Sequence, residues 1–282
     1  MKYRVVKFAP DRWGELEKFS QFYSSTYQFD HHTGRALSGA TNHFHKVMTL
    51  FNFAQRIKAN LEEDNKEIEQ HGYTPAIRGK ELSAIIETIF LDLYSSIDCT
   101  RKVIYFIFRK YRGVPESTRK LFENASKDKI DERVPKSIRM ALKDATWYDE
   151  FRKIRDELTH SDIGTCHLDK NTGKVLYMHS GLGTISKASV IEDIFEKLSD
   201  LIKDVNLFLG QVYHSLNSQL ADKEVWQMCG IFDGRIYSRF VKPSEAKDFN
   251  SGRCDAFSWF EKDENPTCPF VDNCGAYKNL KC

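Results

Sequence analysis

The sequence predicts a mainly α-helical protein: an up-and-down bundle carrying one β-hairpin and ending in a small cysteine-rich module. Apolar residues recur at three-and-four spacing along residues 82–107 and again along 190–212, the mark of helices with one buried stripe. One segment, CHLDKNTGKVLYMHSG, alternates instead around an Asn-Thr-Gly turn, as a hairpin does. Five of the seven cysteines fall after residue 228, in a stretch too short to bury much core of its own.

Taken in order, the first 40 residues give weak signals. KYRVVKF suits a short strand, and Asp11 is placed to cap a short helix carrying Trp13, Leu16 and Phe19. From Thr41 to about Gln70 the pattern is one long helix, apolar early and charged late, with Gly72 as terminator. After a proline-containing turn, KELSAIIETIFLDLYSSIDCTRKVIYFIFRKYRG gives a helix long enough to span a bundle, ending at Gly113. Pro115 and Pro135 bracket a short helical piece around Leu121. SIRMALKDATWYDEFRKIRDELTH, from Ser137, reads as one helix or as two with a break near Thr146. Its buried stripe is Met140, Leu142, Trp147, Tyr148, Phe151, Ile154 and Leu158. The hairpin follows, and Val190 to about Leu220 returns to helix. The expected organisation is an N-terminal extension (1–40), a helical bundle (41–220) and a cysteine-rich tail (221–282).

With 41% hydrophobic and 29% charged residues in 282, the composition is that of an ordered globular chain. The longest apolar run, VIYFIF, falls well short of the roughly 20 residues of a membrane-spanning helix. MKYRVVKFAPDRW lacks the apolar core of a secretion signal, so the expected location is the cytoplasm. Net charge is only +2, yet residues 101–143 hold thirteen Lys or Arg against five Asp or Glu. Tyr105, Phe106, Phe108, Tyr111 and Phe122 interleave with those cations. Clustered cations attract phosphate backbones and aromatic rings stack on exposed bases, which makes Arg101, Lys102, Arg109, Lys110 and Arg112 candidate RNA contacts. The same pattern also describes core rings beneath a solvated face. No P-loop, HExxH or Gly-x-Ser-x-Gly motif is present.

FRKIRDELTHSDIG (151–164) closes a charged amphipathic helix on an arginine and a histidine five positions apart. Two readings stand. In one, this is a solvated helix end, with Asp156 and His160 as i,i+4 neighbours and a histidine favoured at the C-terminus. In the other, Arg155 and His160 jointly hold a phosphate. Five positions on a helix lie roughly 140° apart, so convergence needs the length of Arg155 and a turn of the chain after His160.

Placed at the end of the third long helix, after the apolar helix IFLDLYSSIDCTRKVI, the motif RDELTH resembles that of the HEPN superfamily (higher eukaryotes and prokaryotes nucleotide-binding). That motif is Arg, often a polar residue (here Asp156), three further positions and His; the resemblance covers roughly residues 41–220. It implies a metal-independent endoribonuclease acting on single-stranded RNA, commonly as a toxin or antiphage effector, with an antitoxin or defence protein as possible partner. It also implies a homodimer in which the motif helices of two subunits meet in one cleft. In such a site His160 moves a proton to or from the reacting oxygens, and Arg155 binds non-bridging phosphate oxygens as charge builds. The RNA supplies its own nucleophile, the 2′-OH, leaving a 2′,3′-cyclic phosphate and a 5′-hydroxyl with no cofactor. Asp156 and Asp98 are the supporting residues, although Asp98 reads equally as a partner of Arg101 inside the bundle. One HEPN branch carries a tyrosine two positions after the histidine; Asp162 stands there, so regulation through that tyrosine is not implied. The alternative is a non-catalytic HEPN-like module that binds RNA or protein.

Cys254, Cys268, Cys274 and Cys282 follow one another with 13, 5 and 7 residues between them. Four thiolates in a segment this short suit a structural zinc, though the spacing lacks paired C-x2-C knuckles; free thiols, an iron–sulfur cluster and disulfides stay open. Cys229 is a fifth candidate. An odd cysteine count without a secretion signal argues against a disulfide framework. The tail's nine Lys or Arg against ten Asp or Glu make it no electrostatic clamp for RNA.

Overall fold

The computed structural model describes residues 5–160, 163–182, 190–232, 234–262 and 264–280. The chain is mainly helical with two small antiparallel sheets, and it divides into two compact units: residues 1–30 with 212–282, and residues 31–211.

The first unit opens with strand β1 (Val5–Lys7) and helix α1 (Glu15–Phe22), which buries Leu16, Phe19 and Phe22. Asp11 does not cap α1. Gly14 holds the cap position with no side-chain bond, and the Asp11 carboxylate pairs with Lys7 four residues earlier.

The second unit begins with α2 (His31–Ile57), a turn of 3-10 helix at Lys58–Asn60, and α3 (Leu61–His71). The single helix expected from Thr41 to Gln70 is therefore two, starting earlier, and Gly72 ends the second with a left-handed φ of 78°. Next comes α4 (Ile77–Phe108), which packs most extensively on α2 and buries Leu82, Ile86, Phe90, Leu93, Ile97 and Ile104. The small buried residues Ala36, Ala40 and Ala54 of α2 let the two helices approach. Ser83, Ser96 and Thr100 lie on the buried face of α4, and each hydroxyl donates to a backbone carbonyl in the preceding turn. α4 stops at Phe108, short of the expected Gly113.

Helices α5 (Thr118–Ser126), α6 (Lys136–Asp144) and α7 (Tyr148–His160) follow. Of the two readings of 137–160, the break is the one realised, at residues 145–147. The hairpin forms as β2 (Thr165–Leu168) and β3 (Val175–Met178), with Gly173 at φ 69° and Asp169 accepting from Asn171 N and Thr172 Oγ1. A third strand, β4 (Val190–Ile191), pairs with β3 where helix was expected. Helix α8 (Ile194–Asn217) begins after Asp193, whose carboxylate accepts from Phe195 N and Glu196 N.

The first unit resumes with β5 (Val225–Phe232), β6 (Arg235–Val241), β7 (Arg253–Cys254), and the single-turn helices α9 (Phe257–Phe260) and α10 (Gly275–Lys278). Its sheet runs β1-β5-β6-β7, and Val6 pairs with Ile231. Phe232, Tyr237, Phe249, Phe260, Cys268, Cys274 and Tyr277 share one core. The extension and the tail, separate segments in the sequence reading, thus fold as one unit because β1 is an edge strand of the tail's sheet, while residues 31–40 belong to α2. Among the described residues no helix is long and apolar enough to cross a membrane.

Candidate functional site

Helix α7 buries Tyr148, Phe151, Ile154 and Leu158, a stripe that leaves Arg152, Arg155 and Asp156 on its flank. Asp149 and Glu150 in its first turn and His160 in its last complement the helix dipole. Asp156 ties the two arginines together. Its Oδ2 accepts from Arg152 Nη1 at 2.7 Å and its Oδ1 from Arg155 Nη1 at 3.0 Å. Arg155 Cζ also lies 4.3 Å from the ring centroid of Tyr94 in α4. A guanidinium held by a carboxylate at one edge and a ring on one face keeps few rotamers, yet its side chain remains 32% exposed.

Behind Tyr94 runs an aromatic ladder. The Tyr94 and Tyr148 hydroxyls are 3.3 Å apart, and Tyr148 stacks on Phe122 of α5 at 3.8 Å between centroids. Burial and the bond to Tyr94 hold the Tyr148 phenol far above its ordinary value, so it stays neutral. The ladder borders a groove of about 550 Å³ between α5, α6 and α7, where Arg119, Lys143, Arg152 and Lys153 outnumber Glu123 and Asp149. The buried Nε of Arg152, on this groove, has no hydrogen-bond partner among the described residues.

His160 is exposed at the end of α7, which stays helical to that residue. No hydrogen bond joins it to Arg155 among the described residues, in keeping with their angular separation on one helix. Position 162 lies outside the described residues.

Asp98 is not part of this cluster. It accepts from Arg101 Nη2 at 2.9 Å and Thr118 Oγ1 at 2.6 Å, and pairs with Lys102 Nζ at 3.0 Å, the in-bundle role that the sequence left open. Burial alone would raise its carboxyl, but the bonds from Thr118, Arg101 and Lys102 carry it below the usual carboxylate value. Arg101 is correspondingly occupied: its side chain is only 11% exposed, which leaves little of it for RNA. Lys102, Arg109, Lys110 and Arg112 are exposed, and Arg109 stands over the Phe106 ring. Phe108 and Phe122 are core residues, as the second reading of that segment had it.

One cluster went unseen in the sequence. His43 Nδ1 and Lys46 Nζ, one turn apart on α2, each lie 2.7 Å from an oxygen of the buried Asp92 on α4. The i,i+3 pair is visible in the sequence, but its partner 49 positions on is not.

The chain matches no family model, and no curated protein or solved structure shows significant similarity to it. Its function therefore rests on its own residues.

Of the cysteines expected to hold a metal, Cys254, Cys268 and Cys274 come together in the first unit, with Cys229 beside them; Cys282 lies outside the described residues. Burial pushes the Cys254 thiol up to about 12, and the sulfurs of Cys229, Cys268 and Cys274 add to the rise. Among the described residues no group of three or more His, Cys, Asp or Glu is drawn together tightly enough to hold a metal ion as it stands.

Proposed function

We propose that this chain is a HEPN-like, metal-independent endoribonuclease that cleaves single-stranded RNA by 2′-OH attack, acting as a homodimer in the cytoplasm as a toxin or antiphage effector. The observation that carries the reading is the presentation of Arg155. Asp156 and Tyr94 hold its guanidinium, partly open, on a helix whose last residue is an exposed histidine and whose flank borders a cationic, aromatic groove.

The chemistry asks little of the protein. Arg155 places two donors on the non-bridging oxygens as the phosphorane forms, and His160 exchanges the proton of the 2′-OH or of the leaving 5′ oxygen. One helix points the two residues apart, so a single chain offers each group without joining them; a second copy supplies the complement, one histidine as base and one as acid. Arg109, Lys110 and Arg112, with the groove cations, hold the strand, and stacking on Phe106 or Tyr111 tolerates any base. An antitoxin or other defence protein is the expected protein partner.

A second reading draws on the commitment of Arg155 to Asp156 and its separation from His160: a non-catalytic module that binds RNA or protein through the same surface. Incubation of the purified chain with labelled RNA in excess chelator distinguishes the two. The enzyme reading expects cleavage that is lost, by about 100-fold or more, in both Arg155→Ala and His160→Ala. Undiminished cleavage by either variant removes the assignment, and RNA binding without cleavage supports the second reading.

A further inference from the structure

Among the described residues, the first unit contains a buried charge without a counter-charge. Arg239, in β6, is 1% exposed, and a guanidinium remains a cation throughout the working pH range. Its Nη1 donates to the carbonyls of Phe249, at 2.5 Å, and Ser251, at 3.1 Å, and its Cζ lies 4.5 Å from the Phe249 ring centroid. The remaining edge, Nε with Nη2, is the fork that ordinarily grips a carboxylate. Here that edge faces sulfur: Cys229 Sγ at 2.9 Å and Cys274 Sγ at 3.6 Å. Among the described residues no carboxylate pairs with Arg239; the nearby Asp255 instead accepts from Ser238 Oγ at 2.7 Å.

Buried charges persist where something of opposite sign accompanies them. Two thiols against the open edge of the fork do not supply an opposite charge. A metal ion bound by the cysteines does. It deprotonates the cysteines it binds, and four thiolates around a divalent ion leave a net negative charge beside the guanidinium.

We propose that Cys229, Cys254, Cys268 and Cys274 form a four-thiolate structural zinc site whose charge is the counter-ion of Arg239. Local structure sets the four around that arginine. A β-bulge between Met228 and Gly230 re-aims Cys229 within β5, and Cys254 of β7 sits directly opposite Arg239 in the strand register. Cys268 and Cys274 belong to the core against which Cys254 packs. Two of the four sulfurs, those of Cys229 and Cys274, stand against the guanidinium, and among the described residues the four do not yet surround a common point, so binding would have to draw them together. On binding, one zinc ion enters and four S–H protons leave, with no change of oxidation state. Cys229 takes the place that spacing alone gave to Cys282, and the site is independent of the nuclease reading.

The test is metal analysis of the full-length chain purified without added metal or chelator. The proposal expects about one zinc per chain in the wild type and in Cys282→Ser, and almost none in Cys229→Ser or Cys274→Ser. Because a serine variant that misfolds would also lose metal, the wild-type site is read separately by cobalt substitution. It should show the intense visible and near-ultraviolet sulfur-to-metal bands of a four-thiolate tetrahedral centre. In Arg239→Met, competition with a chromophoric chelator should show zinc affinity lowered about tenfold or more. Absence of metal from the wild type, iron with acid-labile sulfide in its place, zinc retained in Cys229→Ser, zinc lost from Cys282→Ser, or unchanged affinity in Arg239→Met would each overturn it.

Discussion

Arg155 shows how much of a site one short sequence motif can carry. Its neighbour Asp156 was visible as the adjacent residue and does hold the guanidinium. Tyr94, the other half of the clamp, lies 61 positions away on another helix, and nothing local in the sequence announces it. If the ring serves to aim the guanidinium, Tyr94→Leu should slow cleavage about fivefold, the equivalent of roughly 1 kcal/mol of cation–π contact. Tyr94→Phe should keep the rate near wild type; equal loss in both variants would instead implicate the hydroxyl and its contact with Tyr148. Asp98 teaches the converse. The family resemblance left it open between support for catalysis and a partner inside the bundle, and Thr118, Arg101 and Lys102 hold it in the second role. Since its carboxyl is held below the unfolded value, its stabilisation is complete above about pH 4 and fades as pH falls through the folded value. Asp98→Asn should therefore cost about 1–2 kcal/mol in urea denaturation at pH 7, discounted for partial exposure, and much less near pH 2. An equal loss at both pH values would show that packing rather than charge is at stake.

Among the elements, those with a long regular period were legible and those set by distant pairing were not. α4 and α8 each repeat one apolar stripe over many turns, and the hairpin carries its own turn chemistry in Asp169 and Gly173. The four-stranded sheet escaped the sequence reading because β1 pairs with a strand more than 200 positions away, the alternation of β5 is interrupted by its bulge, and β7 has only two residues. β4 was hidden for the same reason: two residues directly before a helix carry no period of their own. The long helix expected before Gly72 was divided by a turn of 3-10 helix that its charge pattern does not mark. Gly79, at the start of α4, marks a close approach of helix to hairpin: a Cβ there would stand 2.4 Å from the Cys166 carbonyl oxygen. Backbone gives way less readily than a side chain, so Gly79→Ala should destabilise the helical unit by about 1–3 kcal/mol in urea denaturation. A variant as stable as the wild type would mean that the hairpin shifts freely away from α4.

At the scale of the whole molecule, the proposed nuclease is a property of two chains. Arg155 and His160 lie five positions apart on one helix, and in the proposal a second copy completes each site. Light scattering should give a mass of about 66 kDa, twice the 32.8 kDa of one chain, at the concentrations where cleavage is observed. Full cleavage by a monomer would end the two-chain account while leaving the residues in question. The proposed cleavage uses the RNA's own 2′-hydroxyl and no metal. It is tested most directly by offering, in excess chelator, a single-stranded RNA and the same sequence made as DNA. Under this proposal only the RNA is cut, leaving 2′,3′-cyclic phosphate and 5′-hydroxyl ends; cleavage of both strands, or cleavage only when a divalent ion is restored, would overturn it.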